Sequence, residues 1–401
     1  PTLMLILASC APPAPSPVET SQERGDTQYE AHIPNLRALH PVSRFDSRHL
    51  HRLANIPMIG KILYILATAG CVCAAIEFFA RDRFPEFLKQ DEFAELSFIR
   101  LLNSGVIYQP GTSNYDRRFG FLNNPNIRET IRTDEYEYTV ETNSLGFRTH
   151  EITGKTESQR RLMLLGDSMF FGVGVDYQQT IPGLLESMRD SLAVYNYAML
   201  GHNTLQSLIA ARAFAPAVAP DHIFCGVFLG NDLISNALNY ADPQNHIATH
   251  LDQVTAMQTR LHTALAPFAW STALRAVAYS VYIPRLRYQF AAEPDMIEAT
   301  CRHLAAIDST ATAVGSAFTA VLIYPKDAVA GGLKQQWSQS RQPGRLVAAD
   351  CRRRGIDVLD LLDHIAGEDD RHRYYYPQDG HFTPAGNAHV AELIHEHFSL
   401  R

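Results

Sequence analysis

Ser168, Asp379 and His381, with Gly201 and Asn231 between them, are the residues of this chain best suited to do chemistry. The apolar run Leu162-Met163-Leu164-Leu165 stops at Gly166-Asp167-Ser168, and Gly172 and Gly174 loosen the backbone before helical periodicity begins. That places a hydroxyl at the carboxyl end of a buried strand, where open α/β sheets carry their reactive groups. A serine there becomes a nucleophile only beside a base, an orienting carboxylate and donors for an oxyanion. Asp379-Gly380-His381 offers the base and the carboxylate. Gly201 follows the strand-like stretch ending near Tyr197, and a glycine N–H approaches a ligand closely because no Cβ intervenes. Asn231, in Gly230-Asn231-Asp232 after Ile223 to Leu229, offers a side-chain amide. Each of these residues also has a plain alternative as a turn glycine, a cap asparagine or a surface histidine. Asp167 supports the serine within its motif, and Asp232 suits holding its loop by accepting backbone N–H groups.

Apolar runs at 161–165, 193–197, 222–229, 318–324 and 356–361 alternate with helical patterns. Thr180 can cap a helix that carries Ile181, Leu184, Leu185 and Met188 on one face. Thr383 and Pro384 open a last helix with Val390, Leu393, Ile394 and Phe398 as its stripe, which would lie beside the first strand. The alternation predicts an α/β fold: a parallel sheet between two helical layers, a three-layer α/β/α sandwich. Residues 233–315 are too long for a simple crossover and are expected to form a largely helical insertion over the sheet's carboxyl edge.

These elements together resemble the GDSL, or SGNH, hydrolase superfamily over residues 160–401. Ser168, Gly201, Asn231 and His381 stand in the order of the four letters of that name, and Thr142-Asn143-Ser144-Leu145-Gly146-Phe147-Arg148 resembles the lead-in of bacterial, envelope-facing members. Many members place the aspartate three residues before the histidine. Here Gln378 stands there, and Asp379 gives the Asp-x-His spacing of periplasmic polysaccharide O-acetyltransferases and related members. The resemblance implies the flavodoxin-like SGNH fold, Ser168 as nucleophile, His381 as base and Asp379 as its orienter. It also implies an oxyanion hole from the Ser168 N–H, the Gly201 N–H and the Asn231 amide, with no metal and no cofactor. An α/β-hydrolase elbow needs Gly-x-Ser-x-Gly, and residue 170 is Phe.

The implied activity is hydrolysis of O-acyl esters on a glycan or lipid-like substrate. Two alternatives stay open: transfer of the acyl group to a polysaccharide hydroxyl by the same triad, and a non-catalytic glycan-binding or assembly protein.

With 401 residues, 46% hydrophobic, 19% charged and a net charge of −7, the chain is a folded protein without a nucleic-acid surface. Six cysteines and seventeen histidines show no zinc or disulfide spacing. Residues 1–55 read as a disordered segment rich in Pro, Ser, charge and His from residue 11 on. Residues 56–80 read as a transmembrane helix whose uncharged centre runs from Ile62 to Ile76. Residues 37–61 carry Arg37, Arg44, Arg48, Arg52 and Lys61 against Asp46 alone, while residues 81–95 carry Asp82, Glu86, Asp91, Glu92 and Glu95 against three bases. The positive-inside rule puts everything after residue 80 outside the cytoplasm, and the resemblance implies a bacterial cell envelope. The alternative is a buried helix of a soluble domain. Leu7-Ala8-Ser9-Cys10 resembles a lipoprotein processing box, and a lipid on Cys10 would reverse that orientation. Residues 81–159 read as a connector with some β structure, including a strand-like Glu135 to Val140 and a turn at Asn143 to Gly146.

Overall fold

The computed structural model describes residues 58–83, Phe93, and 113–399 with short breaks, the longest at 239–246. The expectations for residues 1–55, Cys10 included, and for most of 84–112 lie outside the described residues. Two compact units part between Thr68 and Ala69.

Helix α1 (Met58–Arg83) is the one helix among the described residues long and apolar enough to cross a membrane. At about 1.5 Å per residue it measures about 39 Å, against roughly 30 Å of bilayer hydrocarbon. A hairpin of β1 (Arg128–Arg132) and β2 (Glu137–Glu141) follows. Glu135 and Tyr136 lie in its turn rather than in a strand.

The main sheet holds β3 (Arg160–Leu165), β4 (Leu192–Asn196), β5 (His222–Phe228), β6 (Ala317–Ile323) and β7 (Asp357–Asp360), all parallel, in the order β4-β3-β5-β6-β7. Each strand falls within about a residue of its apolar run. The three inner strands are buried almost end to end, so they read as continuous apolar runs rather than alternating ones.

Strand order fixes the layers. The chain moves one way from β3 to β4 through α3 (Ile181–Met188), then back past β3 to β5 through α4 (Thr204–Val218). Right-handed crossovers therefore set α3 and α4 on opposite faces. Helices α9 (Pro294–Ala313) and α10 (Gln342–Arg353) continue the α4 layer, and the last helix, α11 (Pro384–Ser399), joins α3. Helix α11 packs on α3 and reaches β3 and β5 through Phe398, which lies beneath Arg160 and beside His222. The reversal of direction between β3 and β5 makes the crevice at their carboxyl ends the place for a ligand.

Residues 233–315 do not act as one insertion. Met296, Ile297, Thr300, Cys301, Leu304, Ile307 and Ala311 form a buried stripe that makes α9 the crossover helix between β5 and β6. The residues beyond the basic α/β plan are those before it. They run from α5 (Asp232–Leu238) through α6 (Ile247–Leu265) and α7 (Thr272–Val277) to α8 (Ile283–Ala291).

Candidate active site

Strand β3 ends at Leu165, and Gly166 turns the chain with φ of 144°. A Cβ there would stand 3.0 Å from the carbonyl oxygen of Gly226 on β5, so glycine alone lets the strands close up at this point. Asp167 then caps the four-residue helix α2 (Ser168–Phe171), its Oδ1 accepting from the Met169 N–H at 3.0 Å. Met169, Phe170 and Phe171 are buried, which pins the short helix and holds Ser168 at the sheet's edge.

His381 arrives from the far end of the chain. Thr383 and Pro384 open α11 as the sequence predicts, with Thr383 Oγ1 accepting from the Gly386 N–H at 3.2 Å. A bridge between Tyr375 and Phe382 closes the preceding loop, and its Tyr376 N–H donates to the His381 carbonyl at 3.0 Å. His381 Nε2 lies 2.8 Å from Ser168 Oγ, and Nδ1 lies 2.5 Å from Asp379 Oδ1. An ionised carboxylate only accepts, so Nδ1 carries the proton and donates to Asp379. Nε2 is left with its lone pair toward the serine hydroxyl, which donates to it.

Burial raises the Asp379 carboxyl, but the hydrogen bond and charge of His381, with the Tyr136 hydroxyl, hold it well below the usual carboxylate range. Oδ1 also accepts from the His381 N–H at 2.9 Å. Tyr136 Oη donates to Oδ2 at 2.6 Å, and the Glu135 carboxylate accepts from the N–H groups of Gln378 and Asp379 at 2.8 and 2.5 Å. Gln378 thus contributes its backbone to the loop, while Asp379 supplies the carboxylate.

Gly201 and Asn231 follow the carboxyl ends of β4 and β5, the two strands that flank β3. Gly201 is in the left-handed region with φ of 68°, two residues before the Asn203 cap of α4. Asn231 precedes α5, and its buried Oδ1 accepts no hydrogen bond. Asp232 Oδ2 accepts from the Phe228 N–H at 2.9 Å and so closes the β5–α5 turn. Asp167 and Asp232 are both fully buried. Burial pushes both carboxyls up, and Asp167 pushes Asp232 up further.

Arg148, fully buried, binds four carbonyls. Nη1 donates to Phe171 and Gly172 at 3.1 and 2.7 Å, and Nη2 to Thr139 and Val175 at 2.8 Å each. Burial lowers its pKa to about 10, which leaves it cationic at neutral pH. The guanidinium ties the segment after Ser168 to strand β2. The sequence marks Arg148 only as the end of a motif and gives no sign of Glu135 and Tyr136 as partners of the Asp379 loop. Among the described residues no cluster of three His, Cys, Asp or Glu side chains could hold a metal ion.

No family model matches the chain, and no curated protein sequence does. Among solved structures it is similar to a putative acylhydrolase from Bacteroides fragilis at 12% identity and TM-score 0.38, covering 63% of this chain and 93% of that one. A member of the lipolytic protein G-D-S-L family from Veillonella parvula is similar at 14% identity and TM-score 0.37, covering 60% and 98%. So is the psychrotrophic esterase EstA from Pseudoalteromonas sp., at 12% identity and TM-score 0.36, covering 59% and 96%.

Proposed function

We propose that the chain is a serine esterase of the GDSL/SGNH type, held at a membrane by α1 with its catalytic domain outside the cytoplasm. The observation that carries this reading is the line from Asp379 through His381 to Ser168, with contacts of 2.5 and 2.8 Å at the carboxyl edge of a parallel sheet. His381 takes the hydroxyl proton as Ser168 Oγ attacks the ester carbonyl carbon. The Ser168 and Gly201 N–H groups and the Asn231 amide receive the negative charge on the carbonyl oxygen. The ester C–O bond then breaks, and His381 returns the proton to the departing alcohol. Water, deprotonated by His381, attacks the acyl carbon, the bond to Ser168 Oγ breaks as His381 returns the proton to Oγ, and the acid leaves. One ester and one water give one acid and one alcohol.

The substrate would be an O-acyl group on an envelope glycan or a lipid-like ester. Support comes from the anchor, and from the basic residues before α1 set against the acidic ones after it. A fluorophosphonate should label Ser168 and release of free acid from a short-chain aryl ester should cease in Ser168→Ala. Labelling at another serine, or turnover unchanged in Ser168→Ala, would overturn the mechanism. Acyl-glycan formed in place of free acid would make the enzyme a transferase.

A further inference from the structure

Near the end of α1 the carboxylate of Glu77 grips the start of α7. Ser271 Oγ donates to Oε2 at 2.6 Å, the Thr272 N–H to Oε1 at 2.8 Å, and the Ala273 N–H to Oε2 at 3.1 Å. Glu77 is the first charged residue after the uncharged centre of α1. Its grip puts the chain at 270–273 level with the end of the apolar run.

The residues that follow line an apolar groove against the end of that run, around Ile76 and Phe79. Ala273, Val277 and Val281 face Ala75, Ile76 and Phe79 across an open groove of about 570 Å³. Val277 is 54% exposed, Phe79 66% and Trp270 74%. Between Leu261 and Pro284 the sole Asp, Glu, Lys or Arg is Arg275, which is buried and donates to Thr272 Oγ1 at 3.1 Å and to the Ala269 carbonyl. In water such a face would be an unusual patch. In the outer part of a leaflet it is ordinary, because apolar side chains meet lipid there and tryptophan settles at the headgroup boundary.

We propose that residues 270–281 form an interfacial arm that lies in the outer leaflet beside α1, with lipid acyl chains filling the groove between them. The proposal rests on the reading of α1 as a membrane span. Lipid is the occupant because the groove continues the apolar surface of that span, one of its walls being the span itself. The consequence is functional. A single span leaves its domain free to tilt and turn, whereas a second contact would set the catalytic domain's height and heading at the leaflet, suiting esters presented there.

The chain has two tryptophans, Trp270 and Trp337, so Trp337→Phe makes Trp270 the only reporter. The full chain with this change is placed in phosphatidylcholine–phosphatidylglycerol vesicles whose acyl chains are brominated either near the headgroup or near the methyl end. Trp270 emission should fall at least about twofold with the first lipid and less with the second, as for an interfacial tryptophan. Adding Val277→Asp, which puts a charge in the groove, should reduce that quenching. A chain that resists alkaline extraction while Trp270 is equally bright in all lipids would overturn the arm and leave the anchor standing. Unquenched Trp270 in a chain that also cross-links to a second copy across Val277 would give the groove to a dimer and overturn the lipid. A chain that alkali removes from the vesicles would overturn anchor and arm together.

Discussion

The phenol of Tyr136 donates a 2.6 Å hydrogen bond to the Asp379 carboxylate across 243 residues of chain. The ring stacks obliquely on Tyr376, 4.8 Å between centroids, whose own hydroxyl donates to the Gly174 carbonyl at 2.7 Å. The turn of a small hairpin outside the main sheet thus completes the shell around the Asp379 carboxylate. Asp379 uses Oδ1 for His381 and Oδ2 for Tyr136, so neither oxygen is free to swing.

Tyr136→Phe should therefore lower kcat for a short-chain ester while leaving KM nearly unchanged. A hydrogen bond to a charged group is worth about 1.5–3 kcal/mol, which corresponds to a loss of roughly tenfold to a hundredfold if it is fully felt in the transition state. Steady-state kinetics on the purified full chain would measure it. Wild-type kcat in the variant would show that Glu135 and the loop alone hold Asp379.

Asn231→Ala should cost about 10²–10³ in kcat with little change in KM, because on the proposed mechanism the amide would act on charge that develops only in the transition state. The amide oxygen has no protein partner, so removing it orphans no other group in the fold. Rising KM at constant kcat would make Asn231 a substrate contact instead.

Arg148→Ala should destabilise the protein by more than about 3 kcal/mol, since three buried carbonyls and one part-buried carbonyl would lose this donor and each orphan costs roughly 1–3 kcal/mol. Arg148→Lys would recover only part, because an ammonium has three donors and cannot match a planar fork. Urea unfolding of the two variants should rank Ala below Lys and Lys below wild type.

Much of the fold was legible because the relevant forces act locally or periodically. Buried parallel strands must be apolar throughout, so Leu162 to Leu165 and Ile223 to Val227 stood out as runs. Thr180 and Thr383 declared their helices through the orphan N–H groups that every helix start leaves. Ser168, His381 and Asp379 were visible because each sits at the end of an element, where a strand stops or a helix is about to start. Glu135 and Tyr136 were not. Their partners lie more than 240 residues away, and their alternation with Glu137 and Tyr138 reads as strand although a turn holds them. The role of α9 was hidden for the opposite reason. Its apolar stripe is ordinary, and only its packing on α4 and β6 separates a crossover helix from an insertion.

Acid should weaken the protein through His303. This residue lies on α9, with Nδ1 3.0 Å from Thr204 Oγ1 at the start of α4. The Thr204 N–H donates to Asn236 Oδ1, and Asn236 Nδ2 donates to Thr300 Oγ1, so a polar network joins α4, α5 and α9 behind the loop that carries Gly201. Burial, and then the charges of Arg302 and Arg212, lower the His303 pKa from 6.5 to about 4. Above the unfolded-state value both states are neutral and the residue adds no pH dependence. As pH falls below it, the unfolded chain binds the proton first, so stability declines until the folded imidazole titrates near pH 4. The drop across that window is roughly 3 kcal/mol. His303→Gln removes the titration and keeps a hydrogen-bonding side chain. Its urea midpoint, relative to wild type, should therefore rise steadily from about pH 6.5 toward pH 4. Parallel stability curves for the two proteins over that range would show that His303 titrates alike in both states and would remove the argument.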